Sequence, residues 1–293
     1  LVYLAGILIE KSTSQGDSLY DANQHAWMII MAILSAVMVL LGIYHIFMLP
    51  SGGKRAAAEV HRTGKQVMVE LGEVLIDFFR KRHIVYYICF IILYRFAEGF
   101  VMKIVPLFLK TEREMGGLGL SEKEIGLYYG SYGAAAFVLG SLLAGYYISS
   151  RGLKKTLFTL CGIFNLPFLV YTLFAIFQPT NGLLICSGII FEYFGYGFGF
   201  VGLTLFMMQQ IAPGKHQMAH YAFASGIMNL GVMIPGMLSG WVCELFEEWF
   251  NKPSGYEPFF IFVLIATIPA FLITYFVPFK YNQDGTLIEG EKE

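Results

Sequence analysis

Residues 183–211 read LLICSGIIFEYFGYGFGFVGLTLFMMQQI, an apolar run interrupted by a single charged residue, the carboxylate Glu192. At 1.5 Å per residue, a helix of this length crosses the roughly 30 Å hydrocarbon core of a bilayer. An ionised group there costs from about 3 to more than 10 kcal/mol depending on the measure, so it is rare. Where one occurs, it usually faces a water-filled path or a bound ion. A second run, 84–109, carries Arg95 and Glu98. Further runs cover 25–49, 125–149, 153–177, 217–246 and 258–279, with a shorter stretch at 1–9. Their periodicity is not that of strands, and an open sheet cannot satisfy its backbone in lipid. The expected fold class is all-α, a polytopic membrane helical bundle.

The composition agrees. The chain is 56% hydrophobic with mean hydropathy +0.61, and 14% of its residues are charged. A soluble domain carries about 25%. A net charge of −1 provides no basic surface for nucleic acid. Cys89, Cys161, Cys186 and Cys243 are scattered without metal-ligand spacing, so they read as small buried hydrophobes. No metal or cofactor is expected. The chain opens at Leu1 in mid-run, which reads as a fragment lacking its true N-terminus.

The loops predict an orientation. The 50–83 connection carries Lys54, Arg55, Arg62, Lys65, Arg80, Lys81 and Arg82. Arg151, Lys154 and Lys155 follow in one later loop and Lys215 in another. The alternate loops are uncharged (178–182) or acidic, with Glu244, Glu247, Glu248 and Glu257 against Lys252. Lys/Arg-rich loops stay cytoplasmic, which places the C-terminal tail there too.

Within the long connection, Val67, Met68, Leu71, Val74, Leu75, Phe78 and Phe79 recur at helical spacing opposite Lys65, Glu70, Glu73, Asp77 and Arg80. This predicts an amphipathic helix on the membrane surface, although a partner-binding helix would read similarly. It divides the chain into 1–49, the linker 50–83, a six-helix unit 84–280 and a tail 281–293. Six helices after a cytoplasmic linker match half of a transporter built from inverted three-helix repeats, here 84–177 and 183–279.

Depth counting brings polar groups to one level. Arg95 lies about 17 Å in from the cytoplasmic side, Glu192 about 14 Å in from the outside, and Asn229 about 18 Å in. Glu98, three residues after Arg95, shares its face. Several readings stand side by side. Arg95 and Glu98 also read as a structural intrahelical pair, and Glu192 as a partner of Arg95 that locks two helices. Lys103 near the outer end of its helix reads as snorkelling. Asn165, two residues before Pro167, reads as satisfying backbone freed by the proline.

Gly197-Phe-Gly199-Phe-Val-Gly202 matches G-x-G-x-x-G, but no strand precedes it, so dinucleotide binding is excluded. Gly195-x-x-x-Gly199 reads instead as a close-packing surface. With Glu192 and Tyr196 on the same face, the small residues are expected to open space beside the carboxylate. Gly126-x-x-x-Gly130 and Gly236-x-x-x-Gly240 predict other close crossings, and Pro235 a kink. An enzyme acting on lipid-linked sugars would need a catalytic pair at headgroup level, whereas these charges lie at the midplane. The chain is therefore read as a non-enzyme.

Residues 140–155, GSLLAGYYISSRGLKK, resemble the short cytoplasmic loop motif of the major facilitator superfamily in its C-terminal copy, with Gly140, Arg151, Lys154 and Lys155 at the motif positions. Tyr94-Arg95-Phe-Ala-Glu98 resembles the seventh helix of AmpG-like muropeptide permeases, with Glu98 where an Asp is more usual. Phe191-Glu192-Tyr-Phe-Gly195-Tyr-Gly-Phe-Gly199 resembles their tenth helix, and Ala219-His-Tyr221-Ala222 the approach to their eleventh. The resemblance implies a multi-pass inner-membrane protein, with residues 1–49 as the tail of the fifth helix and the whole sixth. It also implies proton-driven import of anhydromuropeptides. On this reading Glu192 exchanges the proton, because an apolar setting favours the neutral carboxyl and a nearby Arg95 the ionised one. Arg95 binds anionic substrate or Glu192 in turn, and Tyr196 and Asn229 donate hydrogen bonds. A symporter for another polar solute, or a non-transporting receptor or scaffold, remains open.

Overall fold

The computed structural model describes residues 2–16, 18–48, 64–282 and 286–288. Lys54, Arg55 and Arg62 of the linker, and most of the 281–293 tail, lie outside the described residues.

The chain is helical along its described length. α1 (Val2–Ser14) turns into α2 (Leu19–Met48), and α3 (Gly64–Arg80) precedes α4 (Ile84–Tyr94) and α5 (Phe96–Lys110). α6 (Glu122–Ile125) runs through a π-helical stretch, Gly126–Tyr132, into α7 (Gly133–Arg151). α8 (Leu153–Asn165) passes through a 3₁₀ turn, Leu166–Phe168, into α9 (Leu169–Phe177). α10 (Gly182–Phe206) ends in a π-helical turn, Met207–Ile211, and α11 (Gln217–Phe250), α12 (Tyr256–Ala266) and α13 (Ile268–Tyr275) follow. Among the described residues, six helices are long and apolar enough to cross a membrane. The protein is an all-α multi-pass membrane bundle.

The 84–110 run departs from the expected single helix. It is divided at Arg95 into pieces of 11 and 15 residues. The 3₁₀ turn starts at Leu166 beside Pro167, and the helix pair α12–α13 breaks at Thr267, two residues before Pro269. Proline lacks the N–H that an uninterrupted helix needs. α11 nevertheless continues as helix through Pro235.

The loops collect at two ends. At one, Arg113 donates to the carbonyls of Gln178 and Pro179 (3.1 and 2.9 Å), and Gln178 Nε2 donates to Gly116 (2.8 Å). At the other, Lys81 reaches the carbonyls of Ile211 and Pro213, and Gln210 holds the backbone of Lys280 and Tyr281. Gly152, at φ 83°, makes the one-residue turn between α7 and α8, a conformation that suits glycine.

α10 lies at the centre of the packing. On one side, a Cβ at Gly195 would stand 2.4 Å from the Ile163 carbonyl oxygen, and one at Gly199 2.3 Å from Phe164 Cβ. On the other side, Gly197 abuts the Phe137 carbonyl of α7, while Gly140 of α7 abuts Phe194. The glycines therefore close α10 onto α8 and α7, and the expected space beside Glu192 is taken up by α8. Gly236 packs against Gly99 and Lys103, whereas Gly130 and Gly240 face open space, so those two spacings do not mark full close crossings.

α3 is amphipathic, as its spacing indicates. Val74 and Phe78 are buried, Phe78 against Phe223 and His220 of α11, while Met68, Leu71, Leu75 and Phe79 are exposed. Cys161 and Cys186 are buried, but Cys89 is exposed on the outer face of α4, contrary to the buried reading. Asn165 donates to Cys161 O rather than to Ile163 O, the carbonyl that Pro167 leaves free.

Candidate buried charge site between α4, α5 and α10

Arg95, Glu98 and Glu192 are 5%, 5% and 7% exposed. They are held by different backbones, and the local structure explains how. Tyr94, the last residue of α4, donates its hydroxyl to the Gly199 carbonyl of α10 (3.0 Å). Four residues after Arg95, Gly99 receives the ring of Pro235 and the Val232 carbonyl of α11, where a Cβ would stand 2.4 and 2.6 Å away. The segment 94–99 is thus clamped between α10 and α11 on either side of the break. The break starts a new helix at Phe96, and Glu98 falls in its first turn. A carboxylate there meets the positive end of the helix dipole.

Arg95 grips Glu98 with two prongs, Nε to Oε2 at 2.6 Å and Nη2 to Oε1 at 2.5 Å. Two-pronged pairing is the strongest geometry available to this couple. The guanidinium also donates to Tyr196 Oη at 3.4 Å and lies 5.2 Å from the centre of the Phe200 ring, both on α10. Cation–π contact of this kind gains strength when desolvated.

Glu192 stands apart from that pair. Its Oε2 accepts from the Tyr171 hydroxyl of α9 at 3.1 Å, and Tyr171 is itself fully buried against Phe260. Tyr196, one turn after Glu192, bridges towards Arg95. Tyr193 and Tyr129 continue the aromatic wall, with ring centres 4.9 Å apart. The structure brings Arg95, Glu98 and Tyr196 into contact and buries Glu192 beside them on α10. Asn229 lies exposed on α11, and no hydrogen bond among the described residues joins it to this group. Arg151, Lys154 and Lys155 are exposed at the α7–α8 turn, with Arg151 over the Tyr147 ring at 5.0 Å.

Tyr171 and Phe200 complete the site without having been singled out from the sequence, and Tyr94 does so having been named only as the first residue of the stretch around Arg95. Each sits in a run of apolar or aromatic residues, and only the packing of α9 and α4 against α10 distinguishes it.

No family model matches the chain. Among curated proteins it is similar to transporter AmpG 1 of Rickettsia felis, with 25% identity over 191 residues, 65% of this chain and 40% of that protein. It is also similar to the anhydromuropeptide permease of Escherichia coli K12, with 22% identity over 199 residues, 67% of this chain and 37% of the permease. The matched stretch is thus less than half of either relative. Over about two-thirds of its length, then, this helical membrane chain is a low-identity relative of the AmpG and anhydromuropeptide permeases.

Proposed function

We propose that the chain forms the C-terminal part of a proton-coupled secondary transporter of the major facilitator type, importing anhydromuropeptide. Residues 84–280 are its six-helix half, 1–49 the end of the other half, and 50–83 the linker. The Lys/Arg-rich end, with Lys154, Lys155, Lys215 and the C-terminus, is the cytoplasmic side of the inner membrane.

One observation carries this reading. Arg95 and Glu98, at the α4–α5 break, and Glu192, within α10, are buried in apolar surroundings, and their pairing is incomplete. Arg95 is paired with Glu98 through two hydrogen bonds, while the hydrogen-bond partner of Glu192 is a neutral phenol. Burying an unbalanced carboxylate is costly. A proton balances it, on Glu192 while Arg95 holds Glu98, or on Glu98 once Arg95 has moved to Glu192. Two charge arrangements linked by the position of one proton are what a proton-coupled alternating-access switch needs. An anionic substrate competing with Glu98 for Arg95 ties the proton to the cargo. The names of the relatives support the permease class and the substrate.

The test is uptake of labelled anhydromuropeptide by the full-length protein in proteoliposomes. Accumulation that follows an imposed inward proton gradient, and collapses when an ionophore dissipates it, is the expected result. Binding without flux identifies a receptor. Flux of a sugar, peptide or organic anion in preference identifies another symporter.

A further inference from the structure

At the Lys/Arg-rich end, a cavity of about 370 Å³ lies between the end of α3 with the two residues after it, the end of the α10 π-turn, the start of α11 and the segment after α13. Its wall is cationic. Arg80, Lys81, Arg82, Lys215 and Lys280 line it, and Asp77 is the acid among the lining residues. Asp77 is already engaged, 3.7 Å from His216 Nε2.

The cationic groups are placed by the fold. Lys81 Nζ donates to the carbonyls of Ile211 (2.5 Å) and Pro213 (2.6 Å), closing the end of the α10 π-turn. Lys280 is 6% exposed, its ammonium 5.2 Å from the centre of the Tyr281 ring. Its backbone N–H and that of Tyr281 are fixed by Gln210 Oε1 at 2.8 and 2.9 Å. One further feature favours an anion. α11 begins at the cavity, and its N-cap residue, His216, gives no side-chain acceptor to the first turn. A helix start of this kind attracts anions through its N–H groups and dipole.

We propose that this cavity binds a phosphate-bearing anion. Like charges gathered at one rim repel each other until an anion joins them, and basic pockets between membrane helices on this side recognise phosphate groups. The phosphate belongs either to an anionic lipid headgroup or to a free phosphate in solution. The adjoining α3, with its exposed Met68, Leu71, Leu75 and Phe79, gives lipid a route to the rim. The proposal does not depend on the transported substrate.

Thermal stability of the purified full-length protein tests it. The probes are inorganic phosphate at constant ionic strength in neutral detergent, and phosphatidylglycerol added to phosphatidylcholine nanodiscs. Either probe should raise the melting temperature of the wild type. The Lys215→Gln variant changes an exposed residue and keeps the fold, and its apparent affinity should fall roughly fivefold. Lys215→Gln/Lys280→Gln should lose the response. Lys154→Gln/Lys155→Gln, at the same end but outside the cavity, should keep it. A response to phosphatidylglycerol alone assigns the site to a headgroup, and a response to inorganic phosphate assigns it to any accessible phosphate. No shift with either probe overturns the proposal. So does an equal loss in the Lys154/Lys155 variant, which would reduce the effect to general surface charge.

Discussion

Arg95 and Glu98 pair across a break in the helix that carries them, with Nε–Oε2 at 2.6 Å and Nη2–Oε1 at 2.5 Å. The break ends one helix at Tyr94 and starts another at Phe96, so that Glu98 falls in the first turn of the new helix, near the positive end of its dipole.

Removing one partner of this pair strands a buried charge. Glu98→Gln should therefore lower stability by about 3–5 kcal/mol, measured by thermal or denaturant unfolding in detergent. Replacing both residues with apolar ones of similar volume, as in Arg95→Met/Glu98→Leu, should recover most of the loss. If Glu98→Gln is as stable as the wild type, Arg95 has found a second acceptor, for which Glu192 is the nearest candidate by helix position.

Transport separates the roles of the two carboxylates. Glu192→Gln keeps shape and hydrogen bonding but cannot exchange a proton in the working range. In the full-length protein it should abolish gradient-driven accumulation and leave counterflow exchange. Arg95→Lys should weaken substrate binding more than folding, because a point charge replaces a planar fork. Tyr171→Phe removes the hydroxyl bonded to Glu192 and should move the pH profile of uptake without abolishing it. Wild-type accumulation by Glu192→Gln would transfer the coupling role to Glu98.

Sidedness is open to direct labelling. Single cysteines at Lys154 and Lys215 should react from the cytoplasmic side, and those at Asn181 and Lys252 from the other. Contacts already join 113 to 178 and 81 to 211 at opposite ends. Labelling of 154 and 181 from one side would contradict both the loop charges and the helix count.

The spans were legible because length and hydropathy are set residue by residue, and the charge sequence of the loops orders the ends. The buried charges were legible as well, since Glu192, Arg95 and Glu98 stand out against apolar neighbours. Their partners were not. The sequence spacing of Arg95 and Glu98 is compatible with pairing, but Glu192 could equally have met Arg95, and only the position of α9 delivers Tyr171 instead. The glycines misled for a related reason. Gly195 and Gly199 share a face with Glu192, and whether a smooth face leaves room or admits a neighbour depends on where α8 lies.

Those glycines give a stability prediction with an internal control. A methyl group at Gly195 meets the Ile163 carbonyl and the Pro167 ring, and one at Gly199 meets Phe164 and the Leu160 carbonyl. Backbone cannot yield as a flexible side chain can, so Gly195→Ala and Gly199→Ala should each destabilise by about 1–3 kcal/mol. Gly145, in the middle of α7, has nothing within 4 Å of its built Cβ. Gly145→Ala should therefore be neutral or stabilising by about 0.5–1 kcal/mol, through helix propensity alone. Equal tolerance at 145 and 195 in unfolding measurements would mean that α8 and α10 are not in contact.

Lys81 supplies the pH dependence. Burial, followed by the neighbouring Lys280, holds its amine down at about 8 against a usual 10.5, while Asp77 pulls the other way. Arg80, Arg82, Lys215, His216 and His220 also line the cavity it faces. Between pH 8 and 10.5 the unfolded chain keeps a proton at this position that the folded chain has released. The unfolded state then binds more protons, so the contribution of Lys81 to stability rises with pH across that window. Below it both states are protonated, and the contribution is flat at its lowest value. Melting temperatures of the wild type and Lys81→Met, compared from neutral pH to about 10.5, should show the wild type gaining on the variant as pH rises. A flat difference would mean that the Ile211 and Pro213 carbonyls keep the ammonium charged throughout, and that Lys81 acts as a permanent cap on the end of the α10 π-turn.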